Sequence, residues 1–212
     1  MKKKAVILLS GGLDSCTMLY WALKNGYECH CLIFKYHQRH SKEVLAAVKI
    51  ACYAKVNYHI LKISLPWKGS ALLDKHLKIL KRPAGTGIPS TYVPARNTIF
   101  LSYALSYAEA IHAKAIMIGA HTEDYSGYPD CRAEYFDAFR KMKDLGTKYG
   151  KGIDILTPLV YKSKAEIIKL AIKLGAPYKM TWSCYKGGRK PCGECESCYY
   201  RKKGFDEAGI KE

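Results

Sequence analysis

A short glycine-containing turn near the start of the sequence has residue types suited to binding a negatively charged group. Residues 10–15 read SGGLDS and directly follow an apolar run at residues 5–9. Gly11 and Gly12 lack the side chains that would keep a ligand away from the backbone. A helix predicted over residues 15–24 would point its free N–H groups and positive dipole end at this turn. These features predict a cradle for a phosphate or pyrophosphate.

The turn differs from two common phosphate-binding motifs. No Gly-Lys-Ser/Thr follows it, so it is not a Walker loop, and its glycines are adjacent rather than spaced as GxGxxG. It resembles the pyrophosphate loop of ATP pyrophosphatases, which cleave ATP between the α and β phosphates. An ordinary strand–turn–helix connection that needs small residues is the structural alternative.

Four cysteines near the other end of the sequence have metal-ligand spacing. Cys184 precedes a CxxCxxC run formed by Cys192, Cys195 and Cys198. Four thiolates around one tetrahedral ion are typical of a closed structural zinc site. An iron–sulfur cluster also takes four cysteines, although the bacterial ferredoxin run places the fourth cysteine downstream. Disulfides would need an oxidising compartment, which nothing here indicates. Zinc is therefore the preferred prediction.

The composition limits the classes of protein to consider. The 212 residues are 49% hydrophobic, enough for one well-cored domain. We find no apolar run long enough to span a bilayer and no signal peptide, and therefore expect a cytoplasmic protein. The 35 Lys and Arg residues exceed the 18 Asp and Glu residues, giving a net charge of +17. Because the basic residues are dispersed, they favour solubility and attraction of anionic substrates, with nucleic-acid binding as the alternative.

Secondary-structure patterns place these motifs at the ends of buried strands. Besides residues 5–9, apolar runs predict strands over residues 29–36, 58–65 and 115–119. Amphipathic patterns predict helices over residues 41–54 and 97–112, and the capping box Ser163–Glu166 predicts the start of another. The inward-facing residues of the helix over 41–54 are predicted to be Val44, Leu45, Val48 and Cys52.

Alternation of strands and helices predicts an α/β fold, a Rossmann-like three-layer arrangement with a parallel sheet and helices on both faces. In this architecture ligands bind beyond the carboxyl ends of the strands. The turn at residues 10–15 leaves the first strand at that edge, as should the loops after Tyr36 and Gly119. We expect residues 1–180 to form this domain and residues 181–212 to form a small zinc-binding segment packed on it.

The loop after Gly119 is rich in polar residues. Asp124 could help to hold a magnesium ion on phosphates, and Arg132 could form a bidentate pair with a carboxylate or phosphate. Asp130 could accept the N–H donors of a guanine-like edge. Cys131 is interpreted as an unreactive wall residue, with an activated thiolate as the alternative.

An ordered set of motifs resembles the family of 7-cyano-7-deazaguanine synthases, the preQ0-forming ligases of queuosine and archaeosine biosynthesis. The motifs are SGGLDS, YxQRH followed by Glu43, VPARN at 93–97, DYSGYPDCR at 124–132, TPL at 157–159, and TWSCY with PCGECESC. They run in family order over nearly the whole chain, and the ordered set is more specific than any one motif. Family members mostly carry glycine where this chain has His37.

The resemblance implies conversion of 7-carboxy-7-deazaguanine, ammonia and ATP to the 7-nitrile by a zinc-containing, magnesium-dependent enzyme. The implied course is adenylation of the carboxylate, displacement of AMP by ammonia to give an amide, and a second adenylation followed by elimination. The family also implies small-molecule substrates, a homodimer, and no requirement for nucleic acid or a membrane.

The resemblance and the chemistry of the loops assign roles to individual residues. Matching the family by position, the zinc ligands are Cys184, Cys192, Cys195 and Cys198. The matching ATP-binding segment is Leu9, Ser10, Gly11, Gly12, Leu13, Asp14, Ser15, Cys16, Thr17, Met18 and Leu19. From chemistry and position, we expect Asp14, Asp124 and Arg132 to be catalytic. Substrate or phosphate contacts are expected from Arg39, Arg96, Asn97, Asp130 and Arg132.

Two other functions are compatible with parts of the sequence. A transfer-RNA thiolase or lysidine-type ligase would use the same loop, but such enzymes usually carry an extra RNA-binding domain or a sulfur-bearing cysteine pair. A zinc-ribbon nucleic-acid binder would explain the cysteines and the charge. The nucleotide loop and the polar loops at the strand ends count against it.

Overall fold

The computed structural model describes residues 2–79, 87–121 and 127–212. Within these residues the strands are β1 Lys4–Leu8, β2 Glu28–Lys35, β3 Asn57–Lys62, β4 Ala115–Met117 and β5 Asp154–Leu156. The α-helices are α1 Leu13–Lys24, α2 Lys42–Tyr53, α3 Arg96–Ala110, α4 Ala133–Gly146, α5 Lys164–Lys173 and α6 Glu196–Ala208. Short 3-10 turns lie at Pro129–Cys131, Gly150–Gly152 and Tyr178–Met180.

The described strands form one parallel sheet in the order β3-β2-β1-β4-β5. The chain moves outward from β1 to β3, then returns to the other side of β1 with β4. This reversal leaves a crevice between the loops that follow β1 and β4, the place where open parallel sheets bind ligands.

Side chains of β1 alternate between two separate cores. Ala5 and Ile7 face the core formed with α1, α2 and α5, whereas Val6 and Leu8 face the core formed with α3 and α4. Because successive strand residues point to opposite faces, a continuous apolar run requires both faces to be covered. The predicted three-layer α/β fold is therefore confirmed.

The predicted inward face of α2 is partly wrong. Val44 is buried as expected, but Leu45 is 57% exposed and Cys52 is also exposed. The helix instead packs through Ala47 and neighbouring small or apolar residues. Alanine at this position lets the backbone of α2 approach the glycine turn, an advantage that a hydrophobicity pattern does not show.

Other elements agree with or extend the sequence prediction. The capping box at the start of α5 is present, with Ser163 accepting from the backbone N–H of Glu166 and Glu166 accepting from that of Ser163. The sequence patterns described above do not predict α4, β5 or α6. Among the described helices, none is both long and apolar enough to cross a membrane.

Candidate functional site

The candidate site is a cleft of about 290 Å³ at the carboxyl edge of the sheet. Residues 10–15 follow β1 on one side of it, and residues 119–121 follow β4 on the other. A Cβ atom at Gly119 would lie 2.8 Å from the carbonyl oxygen of Asp14. Glycine at this position therefore allows the two loops to meet at the crevice where the strand order reverses.

The pyrophosphate loop, defined as residues 10–15, presents backbone donors to the cleft. α1 begins directly after Gly12, and no side chain caps its N-terminus. Ser10 donates from its hydroxyl to that of Ser15 over 3.0 Å, and Ser15 donates to the carbonyl of Gly12 over 3.0 Å. These bonds close the turn, while the first N–H groups of α1 have no intrahelical acceptor. Such a terminus binds anions well.

The first half of the predicted ATP-binding segment reaches the cleft. The lining residues of this segment are Leu9, Ser10, Gly12, Leu13, Asp14 and Ser15. The fully buried residues beneath the loop are Cys16, Thr17, Met18 and Leu19. Burial raises the pKa of Cys16 to about 12, so this thiol is protonated and belongs to the core.

The two loop glycines have different roles, and we expect different effects from replacing them. Gly11 has a φ of +88°, and a Cβ there would clash with the carbonyl oxygen of Glu43. Gly12 has a φ of −78°, and a Cβ there would meet no described atom closer than 3.5 Å. Gly11→Ala should lower the free energy of unfolding by about 2 kcal/mol. Gly12→Val should fold normally but lose affinity for a non-hydrolysable ATP analogue, because its side chain enters the cleft.

Thermal denaturation and a titration with the ATP analogue check this pair of variants. The Gly11 variant serves as the stability comparison and the Gly12 variant as the binding comparison. Wild-type affinity in Gly12→Val would contradict the placement of phosphates against this loop.

An ion cluster joins the pyrophosphate loop to two other loops. Lys164 Nζ lies 2.9 Å from both carboxylate oxygens of Asp14 and 2.9 Å from His121 Nε2. Because an ammonium group only donates, Asp14 and His121 accept these bonds. Burial acts to raise the pKa of Asp14, but Lys164 and His121 outweigh it and hold that pKa well below its usual range. The carboxylate therefore stays ionised and fixes the ammonium group in the cleft.

Sequence reasoning missed Lys164 and His121. His121 follows β4, and Lys164 is the first residue of α5, beyond the end of β5. Both residues lie at the carboxyl edge of the sheet, one in a loop and one at a helix start. Polar residues that follow predicted strands are therefore the sequence feature that could have identified them. Gly204 of α6 makes room for the lysine, since a Cβ there would lie 2.9 Å from the Cβ of Lys164.

A second polar group lies across the cleft from the ion cluster. Arg96, the first residue of α3, donates from Nη1 to the hydroxyl of Tyr36 over 3.2 Å. Glu43, in the first turn of α2, lines the same cleft. Burial raises the pKa of Glu43 to about 7, although Arg96 acts in the opposite direction. Arg96 thus lies in the cleft, as predicted for a residue that contacts an anionic substrate.

Asn97 and Asp130 bind each other rather than leaving two free polar groups. The backbone N–H of Asn97 donates to Asp130 Oδ2 over 3.0 Å, and its side-chain amide donates to the Asp130 carbonyl over 2.9 Å. The amide also lies 3.3 Å from the sulfur of Cys131. Asp130 is 7% exposed, and its carboxylate holds the start of α3. Burial raises the pKa of Cys131 to about 11, in agreement with a wall residue.

The structure does not bring every expected residue into the cleft. Arg132 is exposed, precedes α4 as its N-cap, and is absent from the described cleft lining. Arg39 instead donates to the carbonyl oxygens of Asp74, over 2.8 Å, and Leu77. It thereby fastens the segment that follows β3. Asp124 lies outside the described residues.

The turn after β2 contains His37, where family members mostly carry glycine. His37 has a φ of 61°, in the left-handed region that glycine adopts most easily. Gln38 holds the turn by accepting from the backbone N–H of Tyr36 over 2.8 Å and donating to the carbonyl of Phe34 over 3.3 Å. The chain therefore keeps the turn with a non-glycine residue in this conformation.

The four predicted metal ligands come together in the structure. The sulfur atoms of Cys184, Cys192, Cys195 and Cys198 all lie within 4.8 Å of one another. Four sulfurs placed about 2.3 Å from one tetrahedral ion would be about 3.8 Å apart, and those of Cys192 and Cys198 are separated by 3.9 Å. A four-iron cluster binds each thiolate to a different iron and spreads the sulfurs further. The set therefore fits a single metal ion.

The cysteine-rich segment forms one wall of the cleft. Trp182, Tyr185, Tyr200 and Arg201 are among its lining residues. The backbone N–H of Trp182 donates to the Gly11 carbonyl over 2.9 Å, which ties this wall to the pyrophosphate loop. The four clustered cysteines are not among the lining residues and support this wall from behind.

The fold and the site together define the chain as an α/β protein with a pyrophosphate-loop architecture. Its fold is similar to that of a 4-thiouridine synthetase solved as an RNA complex with bound ATP, with a TM-score of 0.53 and 19% sequence identity. The match covers 98% of this chain and 50% of that one. The chain belongs to the family described as queuosine biosynthesis protein QueC, which matches residues 4–209.

Curated relatives agree with this family. The 7-cyano-7-deazaguanine synthase of Thermoplasma acidophilum is 52% identical over 216 residues, covering 100% of this chain and 91% of the relative. That of Acetivibrio thermocellus is 53% identical over 212 residues, covering 98% of this chain and 95% of the relative. The family predicted from the ordered motifs is therefore confirmed.

Proposed function

We propose that the protein is a 7-cyano-7-deazaguanine synthase, converting 7-carboxy-7-deazaguanine, ammonia and ATP to the 7-nitrile. The observation that carries this proposal is a single cleft with two groups able to bind anions. The pyrophosphate loop with Lys164 suits the phosphates of ATP, and Arg96 suits the carboxylate of the second substrate. Relatives that share about half of its residues carry this name.

Pyrophosphate is the leaving group that this loop is suited to hold. The carboxylate oxygen attacks the α phosphorus, and the α–β bridge bond breaks with its electrons leaving on pyrophosphate. In this proposal the charge grows beside the backbone N–H groups at the start of α1 and the ammonium of Lys164. Donors that meet developing charge in a partly dry site lower the barrier.

Adenylation makes the later steps feasible. A carboxylate is a poor electrophile because its leaving group would be oxide, whereas the acyl adenylate releases AMP when ammonia attacks the carbonyl carbon. The product is an amide. The amide oxygen then attacks the α phosphorus of a second ATP, with release of pyrophosphate and of one N–H proton. Loss of AMP together with the remaining N–H proton forms the nitrile.

Zinc and magnesium have different places in this proposal. The four thiolates would supply all the ligands of a tetrahedral zinc ion and leave no open position for substrate, so its role would be structural. Magnesium accompanies ATP and neutralises charge on its phosphates. Asp124 stays the proposed magnesium ligand. Asp14 acts by holding Lys164, since that ammonium group contacts both of its oxygens.

The remaining assignments concern the assembly and its surroundings. We take residues 1–180 as the ATP-binding domain and residues 181–212 as the zinc segment packed on it, because Phe205 of α6 belongs to the same core as β1. The substrates are small molecules, and no nucleic acid or membrane is required. A homodimer in the cytoplasm is proposed from the family.

The substrate side of the cleft is proposed to be shaped by residues that hold its loops, namely Asn97, Asp130, Arg132 and Arg39.

Product analysis tests this function directly. Purified protein incubated with 7-carboxy-7-deazaguanine, ammonium, magnesium and ATP, without RNA, should yield AMP, pyrophosphate and the nitrile. Chromatography separates AMP from ADP, and mass spectrometry identifies the nitrile. Omitting the carboxylate substrate is the control and should stop AMP release. Accumulation of ADP and phosphate, or activity that requires RNA, would overturn the proposal.

A further inference from the structure

The cleft contains a carboxylate that the proposed adenylation steps do not use. Glu43 lines the cleft from the first turn of α2, and within the described residues no hydrogen bond or ion pair reaches its carboxylate. Glu43 is only partly buried, so a ligand in the cleft can reach its carboxylate and supply the hydrogen-bond donors that the described residues do not. Burial raises the pKa of Glu43 to about 7, while Arg96 and the N-terminal end of α2 favour its ionised form.

The position of Glu43 connects it to both halves of the site. Its carbonyl oxygen packs against the α-carbon of Gly11 in the pyrophosphate loop. Its side chain shares a charged neighbourhood with Arg96 and Tyr36, which hydrogen-bond each other over 3.2 Å. The carboxyl group of Glu43 and the donor-only guanidinium of Arg96 therefore line the same cleft, close to the loop assigned to phosphates.

The deazaguanine substrate has a matching order of groups along one edge. Its exocyclic 2-amine and ring N1–H are donors, and they are followed by the ring carbonyl oxygen and the 7-carboxylate, which are acceptors. A carboxylate can accept from the two neighbouring donors, and a guanidinium can donate to the two neighbouring acceptors. Asp130, which the sequence favoured for the donor edge, already uses its carboxylate on the backbone of Asn97.

We propose that Glu43 reads the 2-amine and N1–H of the substrate base while Arg96 binds the ring oxygen and 7-carboxylate. This inference rests on the proposed function and assigns its base specificity. It makes Glu43 a substrate-contacting residue that selects guanine-like over hypoxanthine-like rings. Two bidentate contacts, one from Glu43 and one from Arg96, would hold the ring with its 7-carboxylate toward the nucleotide.

The test compares two substrates in two proteins. The substrates are 7-carboxy-7-deazaguanine and 7-carboxy-7-deazahypoxanthine, which lacks the 2-amine. Wild-type protein should prefer the amine-bearing substrate in kcat/KM for AMP formation by about 10²-fold. In Glu43→Gln the preference should fall to less than about tenfold, through a higher KM for the amine-bearing substrate. The KM for ATP should change little.

Glu196→Gln is the matched control, because Glu196 is another carboxylate of the same cleft, placed at the start of α6. Its preference between the two substrates should equal that of the wild type. An unchanged preference in Glu43→Gln, or loss of preference in Glu196→Gln instead, would overturn the assignment to Glu43. Failure of wild-type protein to release AMP with 7-carboxy-7-deazaguanine would instead refute the proposed function, which separates the two failures. Circular dichroism and zinc content check that each variant is folded.

Discussion

Replacing Lys164 by methionine is expected to lower kcat for AMP formation by about 10²- to 10³-fold, the usual effect of removing one group that stabilises transition-state charge. The side chain is only 12% exposed, and its ammonium is fixed on Asp14 over 2.9 Å. Methionine has a similar length but no charge, so pyrophosphate would leave without this cation. AMP quantified by chromatography under saturating ATP and substrate measures the effect.

Lys169→Met provides the control because Lys169 is an exposed lysine on the same helix. It should release AMP at the wild-type rate. Asp14→Ala should also abolish most AMP release while leaving the fold and zinc content intact. Combining Asp14→Ala with Lys164→Met should add little further loss, because both changes remove the same positioned cation. Wild-type turnover in Lys164→Met, or fully additive losses, would contradict this role.

Cys195→Ser is expected to lose zinc and to lower the Tm by about 10–20 °C. Structural zinc sites contribute folding free energy directly, and a loss of about 5 kcal/mol corresponds to this shift for a domain of 150–250 residues. Cys195 is fully buried and precedes α6, so the start of that helix depends on the metal site. Differential scanning calorimetry and elemental analysis of zinc and iron measure both quantities.

Cys52→Ser is the matched control, since Cys52 is exposed on α2 and lies outside the metal-ligand set. It should keep both the metal and the Tm of the wild type. Removing the metal from wild-type protein with a chelator should reproduce the Cys195→Ser defect. Iron with the absorption of an iron–sulfur cluster, and no zinc, would refute the assignment of the metal.

Metal loss should also weaken the cleft because the zinc segment is fastened to the site loops. His40 Nε2 lies 3.0 Å from the carbonyl oxygen of Cys184, and its ring occupies the space that a Cβ at Gly187 would need. The ammonium of Lys42 lies 4.5 Å from the ring centroid of Trp182. These contacts join the turn after β2 and the first turn of α2 to the cysteine cluster, so the wall carrying Trp182 depends on the folding of the cysteine-rich segment.

Local sequence patterns determined the class of fold and the metal site. The apolar run of β1 requires cover on both faces, and the capping box at Ser163 marks the start of α5 from four residues alone. The cysteines at 192, 195 and 198 are close in sequence, so their spacing alone brings three sulfurs together. At position 37 this chain has histidine where family members mostly carry glycine, and the positive φ of His37 explains why glycine suits that position.

Patterns of hydrophobicity were less reliable for the helix faces. In α2, Leu45 was expected inside but is exposed, while Ala47 lies against the pyrophosphate loop. In α3, Ile99, Tyr103 and Tyr107 have the i, i+4 spacing of one apolar face, yet Tyr103 is 46% exposed, whereas Ala104 is buried. Close approach of backbones selects small residues, and a pattern that weighs large apolar side chains does not detect this requirement.

Only the tertiary structure decided which polar groups meet in the cleft. The sequence alone predicted the pyrophosphate loop. Asp14 and Lys164, however, lie 150 positions apart in the chain, and they meet only because each lies in the first turn of a helix at the same edge of the sheet. The carboxylate of Asp130 accepts from the backbone N–H of Asn97 at the start of α3, whereas that of Glu43 lines the cleft. Short-range spacing is encoded by neighbouring residues, but the pairing of distant polar groups depends on how the strands are ordered and packed.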